Sequence, residues 1–349
     1  MKAIETDGKG QVRIVEVPRP VPGAGQCLCR ITACATCSGT DRKLVHGALP
    51  WADTYPALLG HESVGTVVEC GPGVQSLAVG DRMLRPCVAY PGTRHGTLAS
   101  WMGGFAEYGI VTDPAARTLT AEEDPFGYAR YQQRLPREAA VSDADATMLI
   151  MLKEVAGSTV GAGIGSGHRV LVLGAGGVAR AMCFFSKLLG ASQVIAAARR
   201  DAPLQACRKC GADALVNTSR EKLSEAVEQL TGGHGVDFVM DAAGNVELAL
   251  EAATLLADGG VLASYATLDG GGQFPRERVR ARGAWRMLET AVGEDAMHER
   301  MLAWVADSRI PFANFYSHLM PFQNFTEGFR MLEERQADKI VFAMPGEDS

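Results

Sequence analysis

Along residues 1–155 the apolar positions come in short runs rich in β-branched residues, separated by turn-forming stretches such as PRPVPGAGQ (18–26) and CGPGVQSLAVGD (70–81). That pattern predicts a β-rich, partly barrel-like unit. The opening MKAIETDGKGQVRIVEV (1–17) alternates charged and β-branched residues and predicts a strand pair rather than an export signal. From about Val155 the pattern changes. RVLVLGAG (169–176), SQVIAAA (192–198), ALVN (214–217), VDFVMDAAG (236–244) and GGVLASYA (259–266) read as strands. Helices are expected between them, through Leu189, near 204–210, ahead of Thr231 and through Leu256. Short strands regularly separated by helices imply an α/β fold with a doubly wound parallel sheet. After about Gly293 two further helical stretches lead to KIVFAMP (339–345), a strand able to return to the first unit. The expected organisation is a β-rich domain of 1–155 and 294–349, split by an inserted nucleotide-binding domain of 156–293.

At 349 residues and 47% hydrophobic, the chain can bury a large core. Its net charge of -6 leaves no cationic field for a phosphate backbone, so nucleic acid is not expected as a partner. Arg180 and Lys187 interrupt the most apolar stretch, 170–198, which therefore falls short of the roughly 18 uncharged residues of a membrane span. A cytoplasmic protein with no membrane partner is expected. Nine cysteines scattered from Cys27 to Cys210 suggest reduced thiols and not a disulfide framework. The pairs Cys34/Cys37 and Cys207/Cys210 lie too far apart in sequence to read as one four-cysteine metal site.

Gly174, Gly176 and Ala179 form G-x-G-x-x-A between a strand and a helix expected to begin near Val178. The first glycine permits a tight turn, the second lets a pyrophosphate approach the backbone, and the alanine lets helix and strand pack closely. Gly174, Gly176, Gly177, Val178 and Ala179 are thus candidate cofactor contacts. At the end of the next strand, where an acid would bind the ribose hydroxyls of NAD, the chain has Ala198 followed by Arg199 and Arg200. Two guanidinium groups suit a 2'-phosphate, which favours NADP(H) over NAD(H). They also fit a plainer description, as solvated arginines at a helix start beside Asp201.

Upstream of the turn, ALLGHESVGTV (57–67) sets His61 and Glu62 between two glycines. Together with ACATCSGTD (33–41), LLGHESVGTVVECGPGV (58–74), VGDR (79–82), GGFAEY (103–108), VLVLGAGGVA (170–179), GADALVN (211–217) and LLADGGVLASYA (255–266), the chain resembles the zinc-containing medium-chain alcohol and polyol dehydrogenases over nearly its whole length. The resemblance implies a Rossmann sheet inserted in a GroES-like catalytic domain. It further implies a nicotinamide-linked enzyme acting on a small secondary alcohol, polyol or ketone, for which the two arginines favour NADP(H), and assembly as a homodimer or homotetramer. By the same resemblance Cys37 and His61 bind one catalytic zinc, Glu62 is a ligand or a close acid beside the ligands, Asp41 orients His61, and Thr40 begins a proton relay. The substrate hydroxyl would be polarised by the metal before hydride transfer to the nicotinamide.

Several positions depart from the family pattern. Cys37-Ser38-Gly39-Thr40-Asp41 is one residue longer than usual between cysteine and aspartate, which could re-aim Cys37 or put Ser38 in place of the thiolate. Ile150-Met151 stands where relatives carry a Glu-Pro ligand segment, and Glu154, one helical turn on, is the nearest replacement. Only Cys87 lies between Asp81 and Gly103, so no structural zinc is expected. Lys43 takes the place of the relay histidine, with His46 nearby. The long segment 112–136 concentrates Phe126, Tyr128, Arg130, Tyr131 and Gln132, as expected of a lid for a sugar-like or cyclitol substrate, an oligomer contact or surface packing. The alternatives to alcohol oxidation are reduction of a C=C or C=N bond, and nucleotide binding without turnover.

Overall fold

The computed structural model describes residues 1–37, 39–266, 268, 273–289 and 293–346. The chain divides into two compact units, Met1–Met151 with His298–Ser349, and Leu152–Met297. The sequence-derived boundaries at 155 and 293 lie close to these limits. The first division falls inside one continuous helix, Asp143–Ala162, so no turn or loop marks it.

In the unit Leu152–Met297 six strands form a fully parallel sheet in the spatial order Ala214–Asn217, Gln193–Ala198, Arg169–Leu173, Val236–Asp241, Leu256–Ser264, Trp285–Glu289. Chain order reverses at Arg169–Leu173, which makes the end of that strand the topological switch point where such sheets take ligands. Val170, Leu171, Val172 and Leu173 are fully buried, as a strand covered on both faces requires. The intervening helices Gly177–Leu188, Asp201–Lys209, Leu223–Thr231 and Val246–Ala253 occupy the expected places. Two details differ from expectation. The helix expected through Leu256 stops at Ala253, because Leu256 already pairs with Val236 across the sheet. The sixth strand, Trp285–Glu289, was not legible, since its sequence WRMLE lacks the apolar run that marks the other five.

The other unit contains two sheets. Lys2–Thr6 pairs antiparallel with Val12–Glu16, the strand pair expected at the start of the chain. In the larger sheet Gln26–Ala35 pairs with Glu62–Cys70, with Tyr108–Thr112 and with Ile340–Ala343. The last strand comes from KIVFAMP and does return to this unit. Packing fixes it there: the fully buried rings of Phe105, Phe325 and Phe342 meet with centroids 4.8 Å apart for Phe105–Phe325 and for Phe325–Phe342. Each such aromatic pair contributes about 0.5–1.5 kcal/mol beyond its buried area. The C-terminal segment is thereby locked against the strands that carry the candidate ligands. Among the described residues, no helix is long and apolar enough to cross a membrane.

Candidate functional site

The strand Gln26–Ala35 delivers Cys37 two residues past its end, and the strand Glu62–Cys70 begins at Glu62 immediately after His61. Because Ala35 pairs directly with Glu62, the two chain segments emerge side by side. One ligand-type atom each from Cys37, His61 and Glu62 lie within 4.8 Å of one another. Among the described residues this is the only such group of three or more histidines, cysteines or acids. Cys37 therefore joins the cluster despite the longer Cys-to-Asp spacing. Ser38, its suggested substitute, lies outside the described residues.

The spacing is accommodated by a helical turn. The Asp41 N–H donates to the Cys37 carbonyl at 2.8 Å, and the Cys37 N–H donates to Asp41 Oδ2 at 2.7 Å. The other carboxylate oxygen, Oδ1, lies 3.5 Å from His61 Nδ1. Both atoms are buried without a hydrogen-bond partner of normal geometry. Asp41 thus occupies the orienting position expected of it, and Nε2 is the ring nitrogen left for the cluster. Burial works against an imidazolium here, yet the adjacent Asp41 carboxylate and Cys37 sulfur outweigh it and hold the His61 pKa well above the ordinary histidine value. The Thr40 hydroxyl lies beside the Cys37 sulfur, which donates to it at 3.6 Å. His46 is not part of this arrangement: its Nε2 meets Glu333 Oε2 at 3.1 Å at the surface, where Glu333 also binds Arg42.

Backbone packing around His61 explains the flanking glycines. Gly60 has φ +98, and a Cβ there would stand 2.4 Å from the Phe105 nitrogen. Gly104, in GGFAEY, donates its N–H to the Gly60 carbonyl at 2.7 Å, so the two motifs form one contact. The His61 carbonyl accepts from Arg85 Nη1 at 2.9 Å and from the Tyr128 hydroxyl at 3.4 Å. Arg85 also lies 5.5 Å from the ring centroids of Tyr128 and Tyr131.

Sequence reasoning missed Lys339. Its Nζ is ion-paired with Glu62 Oε2, and the side chains are only 7% and 2% exposed. Burial by itself disfavours the ammonium, but Glu62, with Cys37 and Asp41 beyond it, keeps the lysine pKa above its usual value. The one available signal was a charged residue opening the otherwise apolar KIVFAMP strand.

Parts of the 112–136 segment are packed into the protein, while much of 114–127 is exposed. The Gln132 amide is buried: its oxygen accepts from the Thr112 N–H at 2.9 Å and the Tyr90 hydroxyl at 3.0 Å, while its nitrogen donates to the carbonyls of Arg85 and Ile110. Tyr128 is likewise buried, and its N–H donates to Asp124 at 2.8 Å. Phe126 is half exposed, with Trp51 and Trp101 at 6.0 and 6.3 Å. For Gln132 and Tyr128 the lid expectation gives way to packing, because a buried amide or N–H must satisfy its hydrogen bonds within the protein.

In the nucleotide unit the turn has its expected form. Gly174 adopts φ +110, Gly176 caps the helix that starts at Gly177, and a Cβ on Gly176 would meet no protein atom. The first helical N–H groups thus face a cradle that a phosphate can enter. Ala179 is buried at van der Waals distance from where a Gly174 Cβ would stand, 3.6 Å, and it is the left-handed φ that favours glycine at 174. Val178 is half-buried in the first turn. Arg199 and Arg200 are exposed at the end of Gln193–Ala198. Asp201, the neighbouring acid, accepts from Asn217 Nδ2 at 2.6 Å and pairs with Arg220 at 2.7 Å, so it is already engaged away from the two arginines. Also in this unit, the Tyr265 hydroxyl donates to Glu154 at 2.9 Å, and buried Lys153 lies 3.5 Å from Glu294.

Comparison with known proteins identifies the family. The family model for the alcohol dehydrogenase GroES-like domain matches residues 23–121, and that for zinc-binding dehydrogenases matches residues 177–307. The chain is 27% identical over 362 residues to the NADP-dependent isopropanol dehydrogenase of Thermoanaerobacter brockii, covering 97% of this chain and 98% of that one. It is 26% identical over 355 residues to the sorbitol dehydrogenase of Bombyx mori, covering 96% of each. The alcohol dehydrogenase TADH from Thermus sp. ATN1 shares the fold with a TM-score of 0.79 at 24% identity, over 99% of this chain and 100% of that one. With its GroES-like and zinc-binding dehydrogenase domains in the order these relatives share, the chain belongs to the zinc-containing medium-chain dehydrogenase/reductase family.

Proposed function

We propose that this protein catalyses zinc-dependent hydride transfer between NADP(H) and a secondary alcohol or polyol, or the corresponding ketone. The observation that carries the reading is the convergence of a thiol, an imidazole and a carboxylate within 4.8 Å, with Asp41 held behind the imidazole. Sulfur, nitrogen and oxygen donors of this kind suit zinc, and an acid behind a histidine ligand is the usual means of fixing its tautomer. When bound, zinc supplies Lewis-acid polarisation of a substrate oxygen and the nicotinamide supplies the hydride acceptor.

The chain's own residues do the rest. Glu62 brings negative charge into a buried site, and Lys339 offsets it through Glu62 Oε2; Cys37 would add a second charge only as the thiolate ligand of a bound zinc. Asp41 holds the His61 ring, while Arg85 and Tyr128 hold its main chain. The Thr40 hydroxyl, next to the Cys37 sulfur, is the first carrier of the proton released from an alcohol. Arg199 and Arg200 recognise the 2'-phosphate of NADP(H), while the turn Gly174, Gly176, Gly177, Val178 and Ala179 receives the pyrophosphate. The isopropanol and sorbitol dehydrogenases among the relatives support a small secondary alcohol or polyol as substrate. The proposal includes one zinc and no structural zinc, with Cys87 a buried thiol, and a homodimer or homotetramer. Glu154 enters as the remaining candidate ligand; a Glu154→Ala protein with unchanged zinc content removes it.

The test is removal and return of the metal. Dialysis against a chelator is expected to abolish secondary-alcohol oxidation with NADP+, and about one equivalent of zinc per chain to restore it. A metal-free protein with full activity overturns the proposal, and a higher kcat/KM with NAD+ than with NADP+ overturns the role of the arginines.

A further inference from the structure

We propose that Cys27 and Cys70 are a redox-modification site: a peroxide oxidises them to a reversible cross-strand disulfide that closes a covalent loop around the Cys37–His61–Glu62 cluster. The pair sits directly opposite in the antiparallel ladder between Gln26–Ala35 and Glu62–Cys70. The Gly71 N–H donates to the Gln26 carbonyl at 2.8 Å, a bond that flanks the pair and makes it a non-hydrogen-bonded site. At such sites the Cα atoms approach to about 4.5 Å and the side chains lie close on one face, inside the range a disulfide needs without moving the backbone. The sulfurs are already in contact: Cys27 donates its S–H to the Cys70 sulfur at 3.4 Å. Neighbouring thiols lack this arrangement, since Cys29 stands opposite Val67 and Cys34 opposite Ser63.

The two sulfurs have different access. Cys70 is exposed, whereas Cys27 is buried in a small apolar cluster with Cys29, Val67, Met83 and Val111. Burial, followed by its hydrogen bond to Cys70, pushes the Cys27 thiol up to about 12, so Cys27 stays protonated and Cys70 meets the oxidant. The Cys70 sulfur attacks a peroxide oxygen; the O–O bond breaks, an S–O bond forms and water leaves. The Cys27 sulfur then attacks the Cys70 sulfenic acid; the S–S bond forms, the S–O bond breaks, and the Cys27 proton departs with the hydroxyl as a second water. Two thiols lose two electrons, and one peroxide gains them. The ring so closed contains Cys37, Thr40, Asp41, His61 and Glu62, so the bond restrains the segment that carries the cluster.

The experiment treats the full-length protein with hydrogen peroxide, blocks remaining thiols with N-ethylmaleimide in denaturant, and maps unreduced peptides by mass spectrometry. The expected result is a Cys27–Cys70 linkage, a rise in Tm on the order of 5 °C, and reversal of both by dithiothreitol. Cys70→Ser is expected to keep the Tm of the reduced protein and to lose both responses. In Cys27→Ser, dimedone should trap a Cys70 sulfenic acid that does not accumulate in the parent. Recovery of Cys27 as its maleimide adduct after oxidation, or Cys70 carried on to sulfinic acid in the parent, overturns the proposal. The parent mapping decides the matter alone if Cys27→Ser does not fold.

Discussion

In the unit Leu152–Met297 the candidate binding groups are main-chain N–H groups at one turn and two exposed arginines, whereas in the unit Met1–Met151 with His298–Ser349 they are buried ionisable side chains that hold one another. The nucleotide turn is made by consecutive residues and needs from the rest of the fold only a strand to start it and a helix to continue it. The cluster draws on Cys37, Asp41, His61, Glu62 and Lys339, brought together by strand pairing and by the aromatic packing of the C-terminal segment. A site built from backbone is robust to side-chain changes around it. A site built from buried charges couples binding to stability, because removing one charge strands another.

Three substitutions sharpen this contrast. Lys339→Met leaves the Glu62 carboxylate buried without its counter-ion, and we expect a loss of about 3–5 kcal/mol in urea unfolding, with Lys339→Arg retaining most of it. An unchanged midpoint in Lys339→Met would break the comparison, since the ion pair would then contribute nothing. Asp41→Asn keeps the shape behind His61 but removes the charge; zinc affinity is expected to fall by about 10–100-fold, read by competition with a chelating dye. Equal affinity would mean that the imidazole is held by packing alone. Arg199→Ala is expected to lower kcat/KM with NADP+ by about tenfold, the worth of one charge-assisted hydrogen bond, with NAD+ kinetics and the unfolding midpoint unmoved. A parallel loss with both nicotinamides would place the arginine elsewhere than at the 2'-phosphate.

The parts that were legible share a local origin. G-x-G-x-x-A between a strand and a helix states its own geometry, and Gly174 takes the left-handed φ that the turn requires. His61 and Glu62 could be singled out because they stand together between glycines, one of which, Gly60, the backbone of Phe105 allows no side chain. The segment 112–136 misled in part because Tyr and Gln look the same in a lid as in a core; only the hydrogen bonds closed around Gln132 show which it is. The strand Trp285–Glu289 escaped notice because sheet neighbours, not an apolar run, hold it.

By itself the sequence determined the two architectures, the glycine-rich turn between strand and helix and the residue types able to bind a metal, since periodicity and local chemistry are written in consecutive positions. Only the tertiary structure decided that Cys37 reaches the cluster despite its lengthened loop, that Lys339 neutralises Glu62, and that Cys27 faces Cys70. Each of these depends on which strands pair and in what register, and a register is fixed by long-range burial that no short stretch of sequence contains.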